Sequence, residues 1–79
     1  MEIEYILFAS FSRYMPVKMQ EKPCVVSLSE GATIGTLIEF LNLPKNSPKM
    51  IFLNGVRVEE DVLLENGNRV GIFPLVAGG

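Results

Sequence analysis

Few residues in this chain could carry chemistry, and the most unusual of them stand at its end. The 79 residues include no histidine and a single cysteine, which excludes a histidine-based triad, a histidine metal site, a zinc ribbon and a disulfide framework within the chain. The sequence finishes on Ala77-Gly78-Gly79. Because glycine has no Cβ, such an uncharged segment can thread a narrow channel and bring a terminal carboxylate close to a reactive group.

A carboxylate at Gly79 is a poor electrophile until it is activated. ATP can activate it as an acyl adenylate, from which AMP is the leaving group. The sequence has neither a glycine-rich phosphate loop nor a metal-binding cluster, so another protein would have to bind the ATP. The alternative interpretation of Gly78 and Gly79 is a frayed end without function, since glycines are common at chain ends and termini are often poorly ordered.

The composition favours one small globular domain. Hydrophobic residues make up 48% of the chain and charged residues 20%, a balance that can fill one modest core. A net charge of −2 argues against a nucleic-acid-binding surface. No apolar stretch approaches the ~18 residues of a membrane-spanning helix, so neither nucleic acid nor membrane is an expected partner.

The lone Cys24 lies in the apolar run Pro23-Cys24-Val25-Val26, which predicts a small core residue. A reactive thiolate would need a cation or a helix N-terminus nearby, and the sequence leaves that alternative open. The start, Met1-Glu2-Ile3-Glu4, lacks the basic and apolar regions of a signal peptide. Together with the single thiol, it leads us to expect a reducing, cytoplasmic location.

The elements that would position the tail are predicted from hydrophobic periodicity. Strands are expected at residues 2–9, 23–29, 49–54, 56–58 and 69–73, with the Asn54-Gly55 pair forming a tight hairpin. Residues 10–22 predict a loop in which Phe11, Tyr14 and Met15 tuck against the domain edge. The near-continuous apolar run from Met50 to Leu53 indicates either burial on both faces or one face reserved for a partner.

One helix is expected between the second and third strands. Thr33 is a plausible N-cap, and Leu43-Pro44 should end the helix because the residue before proline avoids helical ψ. The core-facing stripe at helical spacing comprises Ile34, Leu37, Ile38 and Leu41. This element order predicts an α+β fold, a mixed sheet of four or five strands with the helix packed on one face.

Strand alternation sorts the first strand into two faces. Its core face is predicted to carry Ile3, Tyr5, Leu7 and Ala9, and its outer face Glu2, Glu4, Ile6 and Phe8. By the same rule Phe73 of the last strand faces outward with Arg69 and Gly71. Phe8 and Phe73 therefore form a candidate exposed aromatic pair beside the tail, an arrangement typical of an interface anchor.

Five motifs are spread along the sequence: Leu7-Phe8-Ala9, Thr33-Ile34-Gly35-Thr36-Leu37, Asn54-Gly55, Leu64-Glu65-Asn66-Gly67-Asn68-Arg69-Val70 and Ile72-Phe73-Pro74-Leu75-Val76-Ala77-Gly78-Gly79. Through these motifs the sequence resembles the MoaD/ThiS family of ubiquitin-like sulfur carriers over essentially the whole chain. It resembles the MoaD branch, the small subunit of molybdopterin synthase, most of all. The last of the motifs is the most specific. Two departures are Leu75, where the family often has a second proline, and Gly67-Asn68 in place of glycine-aspartate.

The resemblance implies a β-grasp domain over residues 1–74 and a flexible Gly-Gly tail over residues 75–79. It implies that an E1-like enzyme adenylates Gly79, next to Gly78, and that sulfur replaces AMP to give a thiocarboxylate. A larger synthase subunit would then take up the tail and transfer the sulfur to a pterin precursor. The chain would be a carrier without catalytic residues or bound cofactor or metal, using ATP and a sulfur donor through its activating enzyme.

The resemblance also assigns a partner-binding surface. Phe8 and Phe73 match positions that the MoaD branch uses against its partners, and the resemblance extends the expected surface to Pro74, Leu75, Val76 and Ala77. Arg57 and Arg69 could add a polar rim, although isolated surface arginines often contribute little. The competing interpretation is that Phe8 and Phe73 pack under the Phe11 to Met15 segment.

Three other fates of the chain stay open at this point. Gly79 could supply sulfur for thiamine, as in the ThiS branch, or for another thiolated product. It could instead be conjugated to lysines, as in a ubiquitin-like protein modifier. The chain could also be a plain β-grasp interaction module with no covalent chemistry.

Overall fold

A computed structural model of the chain describes residues 1–16 and 22–75. Five strands form one sheet in the order β2-β1-β5-β3-β4. The β1–β5 pair is parallel and the other pairs are antiparallel. In chain order the elements are β1 (Glu2–Leu7), a 3₁₀ helix (Ala9–Tyr14), β2 (Cys24–Ser27), α1 (Ile34–Phe40), β3 (Lys49–Leu53), β4 (Val56–Val58) and β5 (Arg69–Pro74).

Strand β1 follows the predicted alternation, because Ile3, Tyr5 and Leu7 are buried. The expectation that the strand reaches Ala9 and that Ala9 faces the core is wrong. The strand ends at Leu7, and Ala9 is exposed at φ 52°. This left-handed backbone conformation turns the chain out of the sheet and into the 3₁₀ helix.

The segment predicted as a loop begins with that 3₁₀ helix. Phe11 and Met15 are buried and Tyr14 is half-buried, as expected from their apolar character. The backbone N–H of Leu7 donates to Met15 Sδ at 3.3 Å. Strand β2 pairs with β1 only as far as Tyr5. The Met15 thioether therefore accepts the Leu7 N–H at the position where β2 no longer pairs with β1. Residues 17–21 lie outside the described part of the chain.

Helix α1 begins where the sequence predicts. Thr33 is the N-cap, and its side chain and that of Thr36 bond each other's backbone N–H groups in a capping box. The apolar stripe is buried, at Ile34, Leu37, Ile38 and Leu41.

The helix ends earlier than predicted, at Phe40 rather than at Leu43-Pro44. Asn42 adopts φ 60°, and its N–H donates to Glu39 O while the N–H of Leu43 donates to Ile38 O. These two bonds form a Schellman motif, in which a left-handed residue closes the last turn. The left-handed Asn42 therefore ends the helix before the chain reaches Pro44.

The β3–β4 hairpin forms at Asn54-Gly55, as predicted, with φ of 50° and 84° at the two residues. Positive φ at both central positions is the geometry of a type I′ turn. Only Ile51 of β3 is buried. Of the two alternatives predicted for the apolar run, burial on both faces is therefore excluded, and a face reserved for a partner stays a prediction. Met50 and Phe52 remain half-buried on the other face.

A single apolar cluster joins α1 to one face of the sheet. Ile3, Leu7, Ile34, Leu37 and Ile72 are each at most 1% exposed. Leu43, Ile51, Leu64 and Val70 belong to the same cluster. The helix covers only this face, so the opposite face of the sheet carries no layer formed by the described elements.

Cys24 is buried, in agreement with its predicted role as a core residue. It lies directly opposite Tyr5 across the β1–β2 pair. Burial raises the pKa of Tyr5 above its ordinary value of 10.0, and the charge interaction and hydrogen bond with Cys24 raise this pKa further. The fold therefore favours the neutral phenol of Tyr5.

We predict that Tyr5 makes folding sensitive to alkali. Because its pKa is raised in the folded state, its stabilising contribution is complete below pH ~10 and is lost as the pH rises through the folded-state pKa. The Tyr5→Phe variant should lose less stability than the parent between about pH 9 and 12, measured by urea unfolding. Equal pH slopes for the parent and Tyr5→Phe would contradict the prediction.

Candidate functional site

The outer face of the sheet brings together side chains from three strands. In the β3–β5 register Met50 lies opposite Phe73 and Phe52 opposite Gly71, and Ile6 of β1 also pairs with Gly71. Directly paired residues project from the same face of a sheet. The parallel β1–β5 pairing therefore places the end of β1 beside the end of β5.

Phe8, Phe52 and Phe73 form an aromatic cluster on this face. The rings of Phe8 and Phe73 stack with centroids 4.1 Å apart and planes 3° from parallel. Phe52 meets Phe73 edge to face at 5.8 Å and 84°. Phe73 is 37% exposed, and Phe8 and Phe52 are half-buried. Offset and edge-to-face aromatic pairs contribute about 0.5–1.5 kcal/mol beyond area burial.

The structure places Phe8 and Phe73 on the outer face, where alternation predicts them. The competing expectation, that they pack under the segment from Phe11 to Met15, does not describe the observed arrangement. Phe11 and Met15 belong to the core cluster, whereas Phe8 and Phe73 stack on each other. Their predicted part in partner binding stays a prediction.

Gly71 provides the floor on which the Phe8 ring lies. A Cβ at position 71 would stand 3.3 Å from Cε2 of Phe8, closer than ordinary van der Waals contact. Sequence reasoning did not identify Gly71 or Phe52 as site residues. The apolar run of β3 was the available signal for Phe52, but its position beside Phe73 depends on strand register.

The aromatic cluster borders a shallow depression of about 560 Å³, lined also by Ile6, Pro23 and Val70. At its edge the Arg69 guanidinium pairs with the Glu4 carboxylate at 2.8 Å. Asn54 Oδ1 accepts the backbone N–H of Arg69 at 2.8 Å. Arg57 is exposed and lies opposite Phe52 in the β3–β4 register. The depression is apolar at its centre and carries charge at its edge, as expected of a recognition surface.

The chain leaves the sheet at the end of β5. Pro74 pairs with Lys49, and the N–H of Leu75 donates to Pro48 O at 2.9 Å. Leu75 is 40% exposed. The predicted site residues Val76, Ala77, Gly78 and Gly79 lie outside the described part of the chain, and their roles stay predictions.

Within residues 1–16 and 22–75, no group of three or more acidic, histidine or cysteine side chains could hold a metal ion. None of the helices described in the structure is long and apolar enough to cross a membrane. What the described geometry offers is a partly exposed aromatic face directly before the tail.

We predict that Gly71→Ala displaces the Phe8 ring without unfolding the domain. The added methyl competes with a side chain rather than with backbone, and Ala is favoured over Gly in a strand by roughly 0.5–1 kcal/mol. The free energy of unfolding should therefore change by less than about 1 kcal/mol, while the NMR shifts of the Phe8 and Phe73 ring protons change. Unchanged ring shifts would contradict this arrangement.

Comparison with known proteins identifies similar sequences and structures. The family model described as "ThiS family" matches residues 15–79. A putative molybdopterin converting factor subunit 1 from Pyrococcus furiosus is 27% identical, with coverage of 95% of this chain and 98% of that chain and a TM-score of 0.74. No curated protein matches the sequence significantly.

Two further structures share the fold at lower identity. A chain of the Helicobacter pylori complex of molybdopterin-converting factor subunits 1 and 2 is 18% identical, with full coverage of both chains and a TM-score of 0.63. Small archaeal modifier protein 1 from Haloferax volcanii is 18% identical over 95% of this chain and 98% of that chain, with a TM-score of 0.73. The five-stranded mixed sheet with helix α1 packed on one face is the predicted β-grasp fold. The chain therefore belongs to the ThiS family of ubiquitin-like sulfur carrier proteins.

Proposed function

We propose that this protein carries sulfur on Gly79 for the synthesis of molybdopterin. An E1-like enzyme adenylates the Gly79 carboxylate, and the resulting thiocarboxylate donates its sulfur within a synthase complex. The observation that carries the proposal is the family match, which runs through to Gly79. The aromatic cluster beside the start of the tail supports it, because it supplies a docking face next to the reactive end.

The proposed chemistry has two steps, adenylation of the carboxylate and replacement of AMP by sulfur. An oxygen of the Gly79 carboxylate attacks the α-phosphorus of ATP, and pyrophosphate leaves. Sulfur delivered at the oxidation level of sulfide then attacks the acyl carbon, and AMP leaves with the carboxylate oxygen. Acyl activation lowers the barrier because AMP is a far better leaving group than oxide.

This chain's own contribution is recognition and delivery. In the described part of the chain the single thiol is buried, and the Arg69 and Glu4 charges are paired with each other. The buried thiol is therefore a poor candidate for a nucleophile, and the paired Arg69 and Glu4 are poor candidates for acid–base catalysis. The activating enzyme supplies the ATP site, and the carrier supplies a rigid sheet face and the tail that extends from it.

A larger synthase subunit is the proposed acceptor of the tail. The Pyrococcus furiosus relative is described as a putative subunit 1 of a molybdopterin converting factor. A chain of the same fold in Helicobacter pylori is found in a complex of subunits 1 and 2. The names of these relatives favour the molybdopterin pathway over thiamine synthesis.

We predict that the chain gains a thiocarboxylate when incubated with its cognate activating enzyme, ATP and a sulfur donor. Intact-mass spectrometry should show one oxygen replaced by one sulfur at Gly79. A variant lacking Gly79 should stay unmodified while keeping its circular dichroism and unfolding midpoint. If the parent chain gains no sulfur from an enzyme shown to adenylate it, the sulfur-carrier proposal fails. Attachment to lysines of other proteins would instead identify a modifier.

We also predict that partner affinity depends on the aromatic cluster and not on exposed apolar surface in general. Phe73→Ala removes the ring that contacts both Phe8 and Phe52 and should weaken binding to the activating enzyme at least tenfold, as for a central interface anchor. Val25→Ala is the matched control, because Val25 is 63% exposed on the same sheet face. Calorimetry should show near-parental affinity for the control. Equal affinities for Phe73→Ala and Val25→Ala would contradict the prediction and show that the aromatic cluster is not the interface.

A further inference from the structure

Lys49 makes an unusual set of contacts at the end of the sheet where the tail begins. Its ammonium nitrogen donates to Pro44 O at 2.5 Å and to Ser47 O at 2.7 Å. Both acceptors are neutral backbone carbonyls, and the ion pairs of the described residues are Lys45–Glu39 and Arg69–Glu4. Lys49 therefore uses its charge to hold backbone rather than to balance a carboxylate.

The backbone it holds is a short segment, residues 44–48, which we call the proline loop. Pro44 and Pro48 have no N–H, so the loop can form few hydrogen bonds within itself. The N–H of Ser47 reaches Pro44 O at a long 3.4 Å. The two bonds from Lys49 are charge-assisted and correspondingly stronger. They are the main polar contacts that fix this loop.

The proline loop in turn contacts the start of the tail. Pro48 O accepts the N–H of Leu75 at 2.9 Å, one residue beyond the end of β5. Lys49 itself lies opposite Pro74 in the β3–β5 register. The Lys49 side chain bonds the proline loop at Pro44 and Ser47, and the last residue of that loop, Pro48, bonds the first residue of the tail.

Phe11 adds a third point of attachment. The Lys49 ammonium lies 6.0 Å from the centroid of the Phe11 ring, at the outer limit of a cation–π contact. Phe11 is 4% exposed and belongs to the core cluster. The Lys49 ammonium therefore lies beside a residue of the buried core, which is the placement that a support for a neighbouring segment requires.

We propose that Lys49 is a positioning residue that sets the direction in which the tail leaves the sheet. It does so by holding the proline loop against the N–H of Leu75. The role of this positioning, which is to direct Gly79 towards an activating enzyme, rests on the proposed function. The positioning itself is a property of the free domain and can be tested without any partner.

Amide hydrogen exchange measured by NMR tests the positioning directly. In Lys49→Met, exchange at Leu75 should accelerate about tenfold, with Ile72 changed by less than about twofold, as for a local opening. Lys49→Arg keeps charged donors and should restore most of the protection. Lys45→Met is the matched control, since Lys45 lies in the same loop but forms an exposed ion pair. No acceleration at Leu75, or equal acceleration at Ile72, would overturn the proposal.

The parent protein supplies a second test that needs no variant to fold. The Lys49 ammonium protons should exchange slowly enough with water to give a separate NMR signal, unlike those of Lys45. If both lysines exchange equally fast, Lys49 does not hold the loop and the proposal fails.

The kinetic consequence separates this inference from the proposed function. With the activating enzyme, Lys49→Met should lower kcat for thiocarboxylate formation about fivefold and leave KM within about twofold, because the docking face is untouched. A released Leu75 with parental kcat would refute the role in aiming the tail. Failure of the parent chain to react would refute the proposed function instead, while the exchange results would still decide the positioning.

Discussion

The parallel pairing of β1 with β5 is the constraint on which the rest of the structure depends. It joins the first and last strands of the chain at the centre of the sheet. One side of the pair delivers Leu7 and Ile72 to the core. The other side sets Ile6 against Gly71 and brings Phe8 to Phe73. The same register therefore builds the core and the recognition face, and it places the start of the tail beside both.

Among the described residues, helix α1 covers the sheet on one face only. Helix α1 has seven residues, and all its buried side chains enter the single apolar cluster. The outer face is left with three phenylalanines that the core cannot accommodate. Stacking Phe8 face to face on Phe73 and seating it on Gly71 hides much of each ring in the free protein. Phe73 nevertheless stays 37% exposed, so part of the aromatic cluster is open to solvent.

Local patterns in the sequence predicted the elements well, and features that depend on register less well. Thr33 and Asn54-Gly55 act through neighbouring backbone, so the helix start and the hairpin could be predicted from the local sequence. Alternation placed Phe8 and Phe73 on the correct face. Phe52 and Gly71 joined them only through cross-strand register, which no single segment encodes. Lys49 was equally hidden, because its partners are carbonyl oxygens that every residue possesses. The 3₁₀ helix lacks the 3.6-residue period that would have revealed it.

The end of β5 places the aromatic cluster and the Lys49 contacts next to each other. Consecutive strand residues point to opposite faces, so Phe73 projects into the aromatic cluster while Pro74, its neighbour, lies beside Lys49 and the proline loop. Under the proposed function, a partner contacts Phe73 on one face while Lys49 supports the adjacent peptide unit from the other. The docking contact at Phe73 and the backbone bond at Leu75 then lie within two residues of each other. In that proposal this chain positions Gly79, and the activating enzyme supplies the groups that make and break bonds.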